Sequence, residues 1–155
     1  MRVHQFEGAV ATVSGVLLLA CLVALLYATT AHDLHLPGHV ATLDPARLQE
    51  TAPFDQPGVR QTGPNSYEVV LVGRIWFFQP NEIRLPLGAE VTFVATSADV
   101  IHGMMIPNTR VNAMLIPGQV TRTRYTFRHP GEYLLICHEY CGIGHHTMAG
   151  KVIVE

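Results

Sequence analysis

An uncharged, apolar segment near the N-terminus is the feature that most constrains how this 155-residue chain can fold. Residues 8–31 contain no charged side chain, and residues 16–26 are almost purely aliphatic. About 20 consecutive apolar residues suffice to cross the hydrocarbon layer of a bilayer as a helix. In lipid the backbone must satisfy its own hydrogen bonds, so a helix is the expected structure. We therefore predict a transmembrane anchor over residues 1–31.

A cleaved signal peptide is the alternative, because small residues at 28–31 would suit a cleavage point. The apolar core of a signal peptide usually spans only about 7 to 15 residues, however. Arg2 precedes the segment and the next basic residue is Arg47, so the positive-inside rule leaves the bulk of the chain outside the cytoplasm. We expect a single-pass protein of the cell membrane, in contact with lipid, with its C-terminal domain on the extracytoplasmic (periplasmic or outer) side.

Residues 32–65 differ in character, since five of the ten prolines fall there without a sustained apolar period. This composition predicts an extended Pro-rich linker, with a short helix around residues 45–49. His32, His35 and His39 cluster in the linker. They could bind a metal, but no cysteine or carboxylate stands at matching spacing, and we interpret them as solvated polar residues.

Residues 66–155 consist of short apolar or alternating runs separated by turn residues, such as Pro117-Gly118 and His129-Pro130-Gly131. No long helical period appears there. Regularly spaced short strands of this kind predict an all-β sandwich or barrel. The predicted strands cover residues 67–72, 82–85, 90–96, 121–127, 132–136 and 151–154.

A dense run of soft donors lies between the last two predicted strands: Cys137, Cys141, His145 and Met148. Sulfur and imidazole ligands favour copper over magnesium or calcium. A mononuclear blue-copper site uses two histidines, one cysteine and a distant methionine, so one cysteine is surplus. If both thiolates bridge two copper ions, a second histidine must come from elsewhere in the chain.

His102 is the candidate for that second histidine, because it follows a predicted strand. Asp99, three residues earlier, could accept a hydrogen bond from it, as the partners of metal-bound histidines usually do. A buried histidine without a metal is the alternative. A Cys137–Cys141 disulfide and a structural zinc site are alternatives for the cysteines, although neither gives Met148 a role. Cys21, in the apolar segment, is interpreted as a small apolar residue.

The donor run, together with Asp99-Val100-Ile101-His102, resembles the binuclear copper A motif of cytochrome c oxidase subunit II. Residues 116–119 and 128–133 are similar to strand connections of that family, and the single span resembles the short form found in B-class haem-copper oxidases. The resemblance implies a mainly β, cupredoxin-like sandwich with one N-terminal transmembrane helix. The implied copper ligands are His102, Cys137, Glu139 (through its backbone carbonyl), Cys141, His145 and Met148.

The resemblance also implies a function: the copper A centre takes electrons from cytochrome c and passes them to a haem-bearing subunit I, where oxygen is reduced. His138 and His146 miss the family spacing and are interpreted as surface groups. A membrane-anchored copper carrier outside respiration is the alternative function. The copper A domain of a nitrous-oxide reductase is a third, although the chain has no room for that enzyme's catalytic domain.

Three further roles follow from the resemblance. Trp76, the only tryptophan, is the expected residue through which electrons enter. Glu139 could bind magnesium shared with the catalytic subunit, and Glu7 could stand at the entrance of a proton channel.

Residues 66–155 carry seven basic and seven acidic side chains, so docking of cytochrome c should depend on apolar contact and little on salt. No nucleic-acid partner is expected.

Overall fold

A computed structural model describes residues 3–31 and 42–155 of the chain. The histidine cluster of His32, His35 and His39 lies outside the described residues. The described residues belong to two compact units, residues 3–31 and residues 42–155.

The N-terminal unit is one helix, α1, from Val3 to Ala31. At 1.5 Å per residue it is about 43 Å long, more than the roughly 30 Å thickness of a hydrocarbon layer. The stretch His4–Thr30 is long and apolar enough to cross a membrane, and none of its most apolar part is buried in the protein. Glu7 lies one turn after His4, and the His4 Nδ1 and Glu7 Oε2 atoms are 3.4 Å apart.

The second unit contains ten strands and two short 3-10 helices, at Pro45–Glu50 and His145–Thr147. The strands are β1 (Gly58–Gly63), β2 (Ser66–Arg74), β3 (Phe77–Gln79), β4 (Glu82–Leu85), β5 (Glu90–Ser97), β6 (His102–Met105), β7 (Asn112–Leu115), β8 (Thr121–Thr126), β9 (Gly131–Ile136) and β10 (Ala149–Val154).

These strands form two five-stranded sheets. One sheet has the order β1-β2-β5-β8, with β3 paired to the end of β2, and the other has the order β4-β10-β9-β6-β7. The β2–β5 and β4–β10 pairs are parallel and the rest are antiparallel. The prediction of a mainly β sandwich preceded by one apolar N-terminal helix is confirmed.

The main core combines inward-facing side chains of both sheets, among them Phe93 of β5, Leu115 of β7 and Val152 of β10. Successive strand residues point to opposite faces, so only alternate side chains of a strand can enter this core. Cys137, Cys141 and Met148 belong to the same buried cluster. The candidate metal ligands are therefore held by the principal core of the domain.

A second buried cluster lies on the other face of the β2–β5 pair. Leu48 and Phe54 pack there against Val70, Val72 and Val94. Both come from the region where the sequence predicts an extended linker. That region also contains β1 and the 3-10 helix, which begins after Asp44, whose side chain accepts a hydrogen bond from the Ala46 N–H.

The six predicted strands all form, each within two residues of its expected bounds at either end. Four strands were not predicted: β1, β3, β6 and β7. The last three have only three or four residues, too few for an alternating pattern to stand out. β1 is mostly polar, so hydrophobic alternation does not identify it.

Candidate metal centre

His102 is the first residue of β6 and is fully buried. Its ring lies against Gly73 of β2, where an added Cβ would stand 3.0 Å from the His102 Cδ2 atom. The Nε2 atom lies 2.8 Å from Asp99 Oδ1. This contact leaves Nδ1 as the ring nitrogen facing residues 137–148, the donor loop, where it lies 3.9 Å from the Cys137 Sγ atom.

Asp99 connects the buried histidine to a second segment of the domain. Its Oδ2 atom accepts a hydrogen bond from the Ile75 N–H at 2.8 Å, and Oδ1 accepts one from the Val100 N–H at 2.7 Å. Burial alone would raise the pKa of this carboxyl, but the hydrogen bonds to His102 and the two backbone groups outweigh it and hold the pKa below 3.8. Asp99 is therefore a carboxylate at neutral pH.

The two thiols lie side by side. Cys137 directly follows β9, and its Sγ atom is 3.8 Å from that of Cys141, well beyond the roughly 2.05 Å of a disulfide bond. Both cysteines are free thiols and are buried. The Cys137 Sγ atom accepts a hydrogen bond from the Gly103 N–H at 3.4 Å and lies 3.2 Å from the Glu139 carbonyl oxygen.

His145 and Met148 approach the second thiol. His145 begins the second 3-10 turn, and its Nδ1 atom lies 3.5 Å from Cys141 Sγ. The Met148 Sδ atom lies 3.7 Å from the same sulfur. At the base of the loop the Cys137 N–H donates to the Met148 carbonyl at 3.2 Å. The loop is thereby closed where β9 and β10 pair.

The donor atoms of His102, Cys137 and Cys141 all lie within 4.8 Å of one another. Each cysteine sulfur also has an imidazole beside it. With the Met148 sulfur and the Glu139 carbonyl, the two thiols and two imidazoles make six donor groups. A single tetrahedral zinc ion takes four ligands, so the set exceeds its need. Thiolate, thioether and imidazole together suit copper. The residues present therefore fit a copper site.

The protonation of the thiols matters for any metal that binds there. Burial, and the neighbouring Cys137, raise the pKa of Cys141 to about 11. The thiol is therefore protonated at neutral pH while no metal holds it. Because a metal binds the thiolate, loading must displace that proton, and the apparent affinity for copper should rise with pH.

Trp76 lies on the donor loop. Its indole N–H donates to the Cys141 carbonyl at 3.1 Å. An added Cβ at Gly144 would stand only 2.3 Å from Trp76 Cδ2, and one at Gly142 would stand 3.2 Å from Nε1, so the indole rests on bare backbone. Yet 38% of the residue remains exposed. Trp76 is thus exposed at the surface of the domain and is hydrogen-bonded to the backbone of Cys141.

Exposed apolar side chains surround this tryptophan in sequence and along the loop. Ile75 and Phe77 flank it in the chain, while Tyr140 and Ile143, on the donor loop, are 75% and 82% exposed. The Tyr140 ring contacts the His145 ring with centroids 5.9 Å apart. In the stretch of consecutive aromatics only Phe78 is fully buried. We call Ile75, Trp76, Phe77, Tyr140 and Ile143 the loop patch.

His138 and His146 are exposed. Like His145, they lie outside the closest group of ligand atoms, which His102, Cys137 and Cys141 form. The His138 ring packs on Gly103, where an added Cβ would lie 2.6 Å from it. Sequence reasoning missed the glycines at 73, 103, 142 and 144, which let His102, His138 and Trp76 approach the backbone. The Cys141-Gly142-Ile143-Gly144 spacing was the available signal, since close-set glycines indicate close approach.

Comparisons with known proteins agree with this geometry. The family described as "Cytochrome C oxidase subunit II, periplasmic domain" matches residues 72–155. The chain is 41% identical over 136 residues to a "Cytochrome c oxidase subunit 2" of Thermus thermophilus, covering 86% of this chain and 81% of that protein.

Two solved structures extend the comparison. A chain of a heme-copper terminal oxidase dimer, solved by cryo-EM, is 36% identical with a TM-score of 0.76, covering 96% of this chain and 99% of that one. The periplasmic domain of subunit II of cytochrome oxidase from Bradyrhizobium japonicum is 24% identical with a TM-score of 0.54, covering 57% and 83%. The second likeness bears on the fold alone.

Proposed function

Because this chain belongs to the cytochrome c oxidase subunit II family, we propose that its buried thiols and their two imidazoles hold a binuclear copper A centre. The chain is a subunit of a haem-copper oxidase and works with other oxidase subunits. The observation that carries the proposal is the pairing of donors. His102 lies beside Cys137 and His145 beside Cys141, so two metals bridged by both sulfurs would each have one nitrogen ligand.

Such a centre would accept and release one electron shared between two equivalent coppers, with little change in bond length and hence a low reorganisation barrier. The residues of this chain supply the conditions for that chemistry. Asp99 and Gly73 orient His102, both cysteines are buried, and the Gly103 N–H donates to Cys137. Met148 and the Glu139 carbonyl are the proposed weak ligands, which would tune the potential.

We propose cytochrome c as the electron donor and the loop patch as the surface on which it docks. Trp76 is the proposed point of electron transfer, because its indole combines surface exposure with a hydrogen bond to the Cys141 carbonyl. From the copper centre the electron would pass to the haem-bearing subunit I, where oxygen is reduced.

The copper domain would stand on the extracytoplasmic side of the cell membrane, anchored in lipid by α1. The position of Arg2 before α1 supports this orientation, as does the periplasmic description of the matching family.

We propose one further role for each of two acidic residues, Glu7 and Glu139. Glu7 would serve the entrance of a proton channel, and E7Q should then slow proton uptake and oxidase turnover; unchanged values would remove the role. The Glu139 carboxylate would bind magnesium shared with subunit I. The E139Q variant keeps the backbone carbonyl, so it should lose magnesium from the assembled oxidase while retaining copper.

The deciding experiment loads the full chain with copper in detergent micelles and measures metal content and electron paramagnetic resonance. We expect two coppers per chain sharing one unpaired electron. The C141S variant should lose that signal, whereas C21S, which changes the cysteine of α1, should keep it. A single copper with a blue-site spectrum, or exchangeable copper(I) without a shared electron, would refute the proposal.

A further inference from the structure

Four of the ten basic residues of the chain lie in a stretch without any acidic residue. Residues 100–131 contain Arg110, Arg122, Arg124 and Arg128 but no Asp or Glu. The balance of charge over residues 66–155 therefore hides a local excess of positive charge. All four side chains are exposed.

Three of these arginines line one surface cavity of about 560 Å³. Arg124 belongs to β8, which ends one sheet, Arg128 follows that strand, and Arg110 comes from the connection between β6 and β7 of the other sheet. Two sheets thus converge their guanidinium groups on one space. The remaining lining residues are Glu90, Tyr125 and Thr126.

The cavity is not neutralised by ion pairs. Within residues 3–31 and 42–155, the carboxylates that form salt bridges do so with His4, Arg47, Arg84, His102 and Lys151, and none contacts an arginine of the cavity. Glu90 is the one acidic residue in the lining, and its strand neighbour on β8 is Thr126. Three arginines against one glutamate leave two positive charges facing the space.

We propose that this cavity, the arginine cavity, is a binding site for a phosphate-bearing anion. Guanidinium groups present forked N–H donors that match phosphate oxygens in pairs, which makes arginine the preferred residue for this chemistry. Thr126, on the same face of β8 as Arg124, adds a neutral hydroxyl to the lining. The volume lies in the range of ligand sites, about 300 to 1,000 Å³. The phosphate could belong to a free anion or to the headgroup of an anionic phospholipid.

The arginine cavity is separate from the metal centre. Glu90 begins β5, whereas Ser97 ends it next to Asp99, the partner of His102. Seven residue steps along a strand span about 23 Å. Occupation of the cavity can therefore be altered without touching a copper ligand, and copper content serves as an independent control of folding.

The test uses the full chain, labelled with 15N-arginine, in maltoside micelles at constant ionic strength. The arginine Nε–H signals are followed while inorganic phosphate replaces chloride. In a second arm, phosphatidylglycerol or phosphatidylcholine is added instead. We expect the Arg110, Arg124 and Arg128 signals to shift and saturate together, while that of Arg122 stays fixed.

Single substitutions distinguish specific binding in the cavity from general electrostatic attraction of an anion to a positive surface. R124Q and R128Q should each weaken binding about tenfold or more, since each removes a charged hydrogen-bonding group. R122Q removes the same charge from the same face of β8 outside the cavity, and should change binding less than about twofold. Copper content should stay unchanged in all three.

The outcomes are distinct. Saturation with phosphate identifies a free anion as the ligand, and saturation with phosphatidylglycerol alone identifies the lipid headgroup. No saturation with either probe would overturn the proposal. An effect of R122Q equal to that of R124Q would also overturn it, because the attraction would then be unspecific.

Discussion

Asp99 shows how one side chain can serve two parts of the proposed electron path. One carboxylate oxygen orients His102 and the other holds the Ile75 N–H, next to Trp76. The proposed ligand His102 and the proposed docking segment are thereby held by one carboxylate. The sequence alone indicated the contact with His102 from the three-residue spacing, but the contact with Ile75 spans 24 positions and only the fold reveals it.

The D99N variant should keep copper but hold it more weakly. An amide can still accept from His102, but it carries no charge and lacks the second acceptor for the Ile75 N–H. Loss of such partners typically costs about 10- to 100-fold in metal affinity. Competition with a copper chelator measures the change, and D55N, which alters an exposed acid of the second unit, is the control. Equal affinities in D99N and the original chain would contradict the role.

The same carboxylate predicts a pH dependence of the copper-free chain. The pKa of Asp99 is lower in the folded than in the unfolded chain, so its ionised carboxylate stabilises the fold. This stabilisation is complete above about pH 4, the ordinary carboxyl range, and is lost as pH falls through the pKa of the folded state. The difference in free energy of unfolding between the original chain and D99N should therefore shrink below about pH 4. Urea unfolding at pH 7 and pH 3 measures it, and a difference that grows in acid would contradict this.

Gly144 determines where Trp76 can lie. In G144A the new Cβ would stand 2.3 Å from Trp76 Cδ2, so the indole must move off the loop. We expect Trp76 fluorescence to shift to longer wavelength, electron acceptance from cytochrome c to slow, and stability to fall by about 1–3 kcal/mol. In the control, G63A, the added Cβ meets no atom closer than 3.5 Å. Unchanged fluorescence in G144A would mean that the packing is not as described.

At the scale of elements, one apolar run indicates that the region predicted as a linker packs on the sandwich. Val69 to Val72 on β2 is a continuous apolar run, which indicates a strand buried on both faces. The second face is covered by Leu48 and Phe54, from a proline-rich segment with no period of its own. The strands with clear alternation could be predicted from the sequence. The packing of Leu48 and Phe54 on the sheet could not, because two isolated apolar residues leave no periodic pattern.

The F54A variant tests whether this cover contributes to stability. Phe54 is 2% exposed and packs on β2 and β5, so its truncation should cost about 3 kcal/mol of unfolding free energy. L87A, which truncates a half-exposed side chain in a turn, should cost less than about 0.5 kcal/mol. Denaturant unfolding of both variants gives the comparison. A loss in F54A no larger than in L87A would assign residues 42–57 to a linker.

At the scale of the whole molecule, the two proposed binding surfaces differ in chemical character. The loop patch is apolar and lies at the metal centre, while the arginine cavity lies at the far end of β5. The net charge of residues 66–155 is zero with histidine neutral. The donor set could be predicted from sequence because its spacing is local, apart from His102. The arginine cavity could not, since its members meet only through the pairing of two sheets.

Electron transfer from cytochrome c should therefore depend little on salt. Raising the ionic strength from about 0.01 to 0.15 M shortens the Debye length from about 30 to 8 Å. We nonetheless expect the second-order rate to change less than about threefold, because the loop patch is uncharged. W76A should lower the rate at both ionic strengths, with L87A as the control. A steep fall of the rate with salt would contradict apolar docking.

The closure of the donor loop by β9 and β10 has a consequence for biogenesis. The Cys137 N–H bonds to the Met148 carbonyl, and β10 then pairs with both β9 and β4. Ribosomes make α1 first and β10 after every ligand, so a nascent chain carries its sulfurs before the strand that sets their spacing exists. The donor loop can therefore take its closed geometry only after β10 has been translated.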